Sequence, residues 1–335
     1  MKKAVVSFLL ISIILLLAAC GGEEQENTGS EGNKESNESG EERSITIQDA
    51  LGEQTLKGTP ERIVVLEWSY AEHLLTLGVQ PAGVADIDGF HQWVNIDKEF
   101  ADSVKDVGTR QEPNLEAIAR LNPDLIIATK FRHEQDLDKL KDIAPVVTFA
   151  PYGEEAVQDH YQNMIEEFKT MAKIVDKENE AEQALTDLEN YIEEQKQRVA
   201  DAGLEGANYL ATQAFTAQNV PTIRLFTDNS IVAKVMGKLG FENAYQTDKK
   251  ETYGYSQVTV EALQNFQDKE LQFLYIVQEE DNIFANQLKG NPVWENLSFV
   301  KNGNTHKLPG DTWTFGGLLS AEVLAKQLVD AMVKE

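Results

Sequence analysis

From Ser44 onward, short apolar runs alternate with stretches whose apolar residues fall at helical spacing, and that alternation restricts the chain to few folds. The runs expected as strands are Ser44–Gln48, Arg62–Leu66, Pro81–Ala85, Leu125–Thr129 and Val146–Phe149 in the first half. Tyr209–Gln213, Ile223–Phe226, Leu271–Val277 and Thr305–Leu308 serve in the second. Runs this short, separated by helices, imply an α/β fold of open sheets with crossover connections. Ala71–Leu77 reads as a helix stopped by Gly78, and Asn114–Leu121 as one that starts beside Pro113 and stops before Asn122-Pro123. Between the halves the pattern is helical over Glu155–Val175 and again over Lys177–Ala202. In the second stretch Ala181, Ala184, Leu185, Leu188, Tyr191 and Ile192 form one stripe, with Glu and Lys on the other face. Such a helix, about 38 Å long, could reach from one lobe to the next.

The chain opens with Lys2 and Lys3, an apolar run from Ala4 to Ala19, and then Cys20. A basic start, an apolar stretch shorter than a comfortable membrane span and small residues before the cysteine read as a secretion leader over residues 1–19. Cys20 is the single cysteine of the 335 residues, so neither intramolecular disulfides nor a cysteine-cluster zinc site can hold the fold. Gly21 to Arg43 carries no Val, Ile, Leu or aromatic residue and is rich in Glu, so it cannot offset the entropy of ordering it. With Cys20 it is expected to be an acidic tether over residues 20–43, holding the domain on the order of 25 Å from its anchor.

The 30 Lys and Arg against 56 Asp and Glu give a formal net charge of −26, which repels nucleic-acid phosphates. No GxGxxG opens a helix after a strand, and neither a GxSxG elbow nor a P-loop occurs, so enzymatic activity is poorly supported. His73, His91, His133, His160 and His306 include no HxH or HxxxH spacing, which argues against a zinc site. His73 is expected within its helix, whereas His133, next to Arg132, is a weaker candidate to touch a ligand.

Leu17-Ala18-Ala19-Cys20 followed by Gly21 resembles the lipobox of bacterial lipoproteins, in which the cysteine becomes a lipidated N-terminus. The segment Asn114 to Ala128, NLEAIARLNPDLIIA, together with the preceding VGTRQEP, resembles the substrate-binding lipoproteins that feed iron-siderophore, haem and cobalamin ABC importers. The likeness extends from Ser44 to Lys334. It implies two Rossmann-like lobes, residues 44–176 and 203–335, joined by one long α-helix over 177–202, with a ligand cleft between them. It also implies a monomer anchored through lipid on the extracytoplasmic side of a Gram-positive cell membrane, working with an ABC permease and its ATPase.

A strongly acidic protein that places arginines in loops after its strands reserves local positive charge for an anionic ligand. Arg110, Arg132 and Arg224 are the candidates, and by resemblance Arg110 and Arg132 match loops that bind citrate-based siderophores. Trp68, Tyr70, Trp93, Phe215 and Trp313 are candidate ligand-contacting rings, with Trp93 in a loop over Asp88–Asn95, while Trp294 is expected in the core. The loop around Trp313 and Phe315 carries no Arg, unlike that of several carboxylate-siderophore binders. The expected cargo is therefore a ferric siderophore of mixed citrate–hydroxamate type, with ferric citrate as the alternative. Its iron would be held by siderophore oxygens, so no cofactor and no protein metal ligand are expected. The readings from other classes are a haem or cobalamin binder and an adhesion or scaffolding lipoprotein. By resemblance a surface Glu on each lobe docks to the permease: Glu72 matches on the first, whereas Lys234 occupies the matching place on the second, leaving Glu242 as a nearby substitute.

Overall fold

The computed structural model describes residues 43–333, so the leader, Cys20 and the tether up to Glu42 lie outside the described residues. Arg43, expected as the last tether residue, already belongs to the fold. Its guanidinium donates to the carbonyls of Lys173 and Ile174 and pairs with Asp176 at 3.1 Å.

A hairpin of β1 (Ser44–Asp49) and β2 (Gly52–Lys57) precedes the first sheet. Then come β3 (Ile63–Val65), α1 (Trp68–Thr76), β4 (Gly83–Val84), α2 (Ile87–Trp93), β5 (Lys105–Asp106), α3 (Leu115–Arg120), β6 (Leu125–Thr129), α4 (Lys130–His133), α5 (Leu137–Lys141) and β7 (Val146–Phe149). The five strands β3 to β7 pair in the order β5-β4-β3-β6-β7, all parallel. A parallel strand covered on both faces reads as an unbroken apolar run, and Leu125, Ile126, Ile127 and Ala128 are each at most 1% exposed. The strand order reverses between β3 and β6, and in open α/β sheets a ligand lies beyond the carboxyl ends of the strands at such a reversal.

Two long helices follow, α6 (His160–Val175) and α7 (Glu178–Asp201), separated at Asp176, whose φ of 60° ends α6. The second lobe continues with β8 (Asn208–Ala217), β9 (Val220–Phe226), α8 (Ile231–Lys238), β10 (Glu242–Asn243), β11 (Tyr255–Val258) and β12 (Gln272–Ile276). It closes with α9 (Ile283–Asn286), α10 (Pro292–Glu295), α11 (Ser298–Lys301), β13 (Thr305–Leu308) and α12 (Leu318–Met332). The order here is β11-β9-β8-β12-β13, with β10 beside the start of β8. β8, β12 and β13 run parallel, whereas β9 and β11 are antiparallel additions. The β8–β9 turn places Gln218 and Asn219 at φ 50° and 62°, the left-handed pair that a two-residue hairpin with native twist requires.

One apolar cluster runs through α1, α6, α7, α8 and α12 and reaches both sheets. Ile63, Val65 and Ile127 join it from the first sheet, and Tyr209, Ala211 and Leu274 from the second. Because strand side chains alternate between faces, Val64 and Ile126 point instead into an outer cluster with Ile118 and Leu140. The corresponding outer cluster of the second lobe holds Leu210, Phe273, Phe299 and Trp294. α7 carries the chain from α6 to β8 while packing on α6, α8 and α12. Strands β2, β5, β10 and β11 fall outside the expected set. β5 and β10 are two residues long, and Leu56 is the only aliphatic residue of β2, so none of these three gives a period-two signal.

Candidate functional site

The first wall is built on Glu67, the residue between β3 and α1. Its Oε1 accepts the Trp68 amide at 3.0 Å, capping α1, and the same carboxylate receives Arg110 Nη1 and Arg132 Nε, each at 2.8 Å. Arg132 comes from α4, immediately after β6, so Glu67 and Arg132 meet where the strand order reverses. Arg110 comes from the loop after β5. That loop is pinched at its base by a bridge between Gly108 and Pro113 and by the Asn114 amide donating to the Val107 carbonyl at 2.7 Å. Gly108 has φ 93°, and a Cβ there would stand 2.8 Å from the Asn114 nitrogen, so only glycine closes the loop. The guanidinium of Arg110 lies 3.3 Å from the Trp68 ring centre, and Trp68 Nε1 donates to the Asp86 carbonyl at 3.0 Å. Asp86 Oδ2 stands 3.8 Å from Arg110 Nε.

The opposite wall comes from the second lobe. Arg224 sits on β9 in register with Gln213, whose Oε1 accepts Arg224 Nη1 at 3.0 Å. Its guanidinium lies 4.6 Å from the ring centres of both Phe215 and Tyr255, which flank it diagonally on β8 and β11. Trp313 and Phe315 arrive in the loop between β13 and α12. The Trp313 ring is 5.3 Å from that of Trp68 and 5.5 Å from that of Phe315. Neither Arg224 Nε nor Trp313 Nε1 has a hydrogen-bond partner among the described residues.

The walls enclose two adjoining cavities that share Arg110, Arg224, Trp313 and Phe315. One, about 330 Å³, is completed by Trp68, Trp93, Phe215, Gln278 and Asp281. The other, about 290 Å³, is completed by Glu67, Phe131, Arg132, Tyr152, Tyr253 and Tyr255. Phe131 and Tyr253 are 43% and 46% exposed, and the Tyr152 ring lies 4.9 Å from the one and 4.8 Å from the other. Aromatic contacts thus bridge from α4 of the first lobe to the segment before β11. Burial pushes the Tyr152 hydroxyl well above its ordinary range, keeping it protonated as a hydrogen-bond donor.

Arg110, Arg132, Arg224, Trp68, Trp93, Phe215 and Trp313 therefore line one cleft, and Trp93 does so from the end of α2 rather than from a loop. Tyr70 does not: it is fully buried, and its hydroxyl donates to Glu167 Oε2 at 3.2 Å, away from the cleft. His133 is also fully buried. Its Nδ1 accepts the Thr129 amide at 3.0 Å, which leaves Nε2–H to donate to the Arg110 carbonyl at 2.9 Å, tying the Arg110 loop to α4. Burial lowers its pKa, keeping the ring neutral for that task.

Glu72 is not a surface docking carboxylate. It is fully buried and accepts the Ser320 amide and hydroxyl, both at 2.7 Å, at the N-terminus of α12. It is the only carboxylate of α1, so that helix offers none to a permease. Burial raises the Glu72 pKa, while backbone N–H groups of Gly317 and Ser320 pull it down. The Gly316-Gly317 pair allows the approach: a Cβ on Gly316 would stand 2.6 Å from Glu72 Oε2, and one on Gly317 2.7 Å from His73 Nδ1. Lys234 pairs with Asp159, the cap of α6, at 2.9 Å, whereas Glu242 is exposed on β10. Glu67, Tyr152, Tyr253 and Tyr255 escaped the sequence reading. A lone Glu between strand and helix reads as an ordinary cap, and the tyrosines lie in segments with no apolar period.

The sequence model for the periplasmic binding protein family matches residues 63–312. The chain belongs to that family. The family is a class of binding proteins. The Fe(3+)-citrate-binding protein YfmC of Bacillus subtilis is 34% identical over 304 residues, covering 90% of each chain. The probable siderophore-binding lipoprotein YfiY of the same species is 27% identical, covering 86% of this chain and 88% of its own. Among solved structures, the siderophore-binding protein FhuD of Vibrio cholerae with Fe3+–Desferal bound superposes with a TM-score of 0.72. It is 30% identical and covers 82% of this chain and 98% of its own. A solved protein with a ferric chelate bound thus shares this two-lobed α/β architecture.

Proposed function

We propose that this chain is the capture component of an ABC importer for iron wrapped in an organic chelator, with a citrate-bearing siderophore as its cargo. The observation that carries the reading is the convergence of Arg110, Arg132 and Arg224, from opposite lobes, on one ring-lined cleft. Guanidinium groups offer planar, charge-assisted donors to carboxylate and hydroxamate oxygens, and aromatic walls take up the apolar arms of a chelator. The Fe(3+)-citrate-binding protein among the relatives supports the citrate class. The loop of Trp313 and Phe315 adds rings to the cleft and no further cation, which favours a mixed citrate–hydroxamate ligand over ferric citrate. Iron is cargo here, coordinated by chelator oxygens rather than by side chains. Lipidation of Cys20 and attachment to the outer face of the membrane belong to the same proposal, with support from a relative named as a lipoprotein, and so does a monomeric state. Of the two carboxylates expected to dock a permease, only Glu242, exposed on β10, stays within the proposal.

Titration of the purified full chain with ferric citrate and with a ferric citrate–hydroxamate complex, followed by tryptophan fluorescence, tests the reading. Trp68, Trp93 and Trp313 line the cleft, so saturable quenching is expected. An Arg110→Ala, Arg132→Ala double variant is expected to stay folded and to bind at least about tenfold more weakly, equivalent to about 1.4 kcal/mol. Unchanged affinity in that variant would reject the site.

A further inference from the structure

The first-lobe arginines do not reach the cleft as free charges. Each oxygen of the Glu67 carboxylate holds one of them at 2.8 Å, with the Glu67 side chain 9% exposed against 13% for Arg110 and 22% for Arg132. The anion therefore lies deeper than the cations it joins. Asp86 adds a second carboxylate 3.8 Å from Arg110. On the far side Asp281 lines the cleft, its carboxylate held by the amide and hydroxyl of Thr216. Three arginines against Glu67 and Asp281 leave the cleft lining with little formal positive charge, and Asp86 behind Arg110 offsets it further, although the donors are guanidinium groups.

We infer that Glu67 sets the charge class of the ligand, holding the cleft to ferric complexes of low net charge and against trianionic ones such as ferric tris-catecholates. The inference rests on the ferric-chelate reading and deepens it. Glu67 acts in two ways that can be separated. By fixing both guanidinium groups before a ligand arrives, it removes an ordering cost and so favours every complex alike. Its negative charge, in a partly desolvated site, opposes a ligand in proportion to the charge that ligand brings. Only the second effect changes the ratio between complexes, so the ratio isolates it.

The experiment measures, by fluorescence quenching of the purified full chain, affinities for a neutral ferric tris-hydroxamate, a ferric citrate–hydroxamate and a trianionic ferric tris-catecholate. The wild-type protein is expected to prefer the first two. Glu67→Gln is expected to raise tris-catecholate affinity relative to tris-hydroxamate by about tenfold. Asp86 also caps α2, its Oδ1 accepting the Gly89 amide at 3.2 Å; Asp86→Asn keeps a side chain suited to that cap and removes the more distant charge, so the same ratio should move the same way by about twofold. If Glu67→Gln fails to fold, the Asp86→Asn ratio decides. A ratio unmoved in every variant that folds, or a wild-type preference for the trianion, overturns the inference while leaving the ferric-chelate reading intact. A wild-type chain that quenches with none of the complexes refutes that reading and this inference with it.

Discussion

Arg110 is held at several points: its guanidinium by Glu67 and the Trp68 ring, its carbonyl by His133. A His133→Ala variant should therefore keep the lobes folded yet weaken ferric-chelate binding by a few-fold, as the loop bearing Arg110 gains freedom. A binding isotherm with circular dichroism as the folding control checks it, and unchanged affinity would show that the carbonyl contact does not position the arginine. Beneath the cleft, burial raises the Glu167 carboxyl to about 7 and lowers His73 to about 3. Both ring nitrogens of His73 lack a hydrogen-bond partner among the described residues. The signs oppose. Glu167, whose folded pKa lies above its unfolded value, contributes stability below about pH 4.5 that is lost as pH rises through about 7. His73, whose folded pKa is depressed, costs stability as pH falls below its ordinary value of 6.5. Glu167→Gln should remove the first trend and leave that of His73, so that thermal stability rises more steeply with pH between about 4.5 and 6.5 than in wild type; a slope identical to wild type in melting curves would contradict this. Arg132 was legible because it follows the apolar run Leu125–Thr129, Arg110 because its Gly-Thr-Arg loop matches the family, and Arg224 because a cation inside the apolar run Ile223–Phe226 is exceptional in so acidic a chain. Glu67 was not legible, because its partners lie 43 and 65 residues away.

Between α1 and α12, Glu72 acts as a clasp: a buried carboxylate on one helix receives the N-terminal groups of another, where the helix dipole favours negative charge. Removing one side of a buried pairing strands the other, so Glu72→Ala should lower unfolding free energy by about 2–4 kcal/mol. In urea unfolding the midpoint should fall with little change of slope; an unchanged midpoint would contradict the clasp. The family resemblance assigned Glu72 an exposed docking role, and the cue to the contrary, Gly316-Gly317, lies far along the chain. The long elements were legible for the opposite reason. α7 carries its own apolar stripe, and Leu125–Ala128 reads as a buried strand whatever surrounds it. α2 lacked such a signal, since it is seven residues long with Phe90 as its one buried side chain.

The lobes share a core. Residues of both sheets and of α1, α6, α7, α8 and α12 belong to one apolar cluster, so separating the lobes would expose surface that each needs buried. Calorimetry should accordingly show one cooperative transition with equal van't Hoff and calorimetric enthalpies, whereas two resolved transitions would mean that the lobes unfold independently. The same continuity implies that capture involves little rearrangement, the ligand entering a cleft whose arginines and rings already stand in place. A crystal structure of the protein grown with a ferric citrate–hydroxamate complex tests this most directly. It should place the complex between Arg110 and Arg224, with chelator oxygens alone around the iron. A complex seated elsewhere, or a side chain in the iron's coordination sphere, would contradict the account.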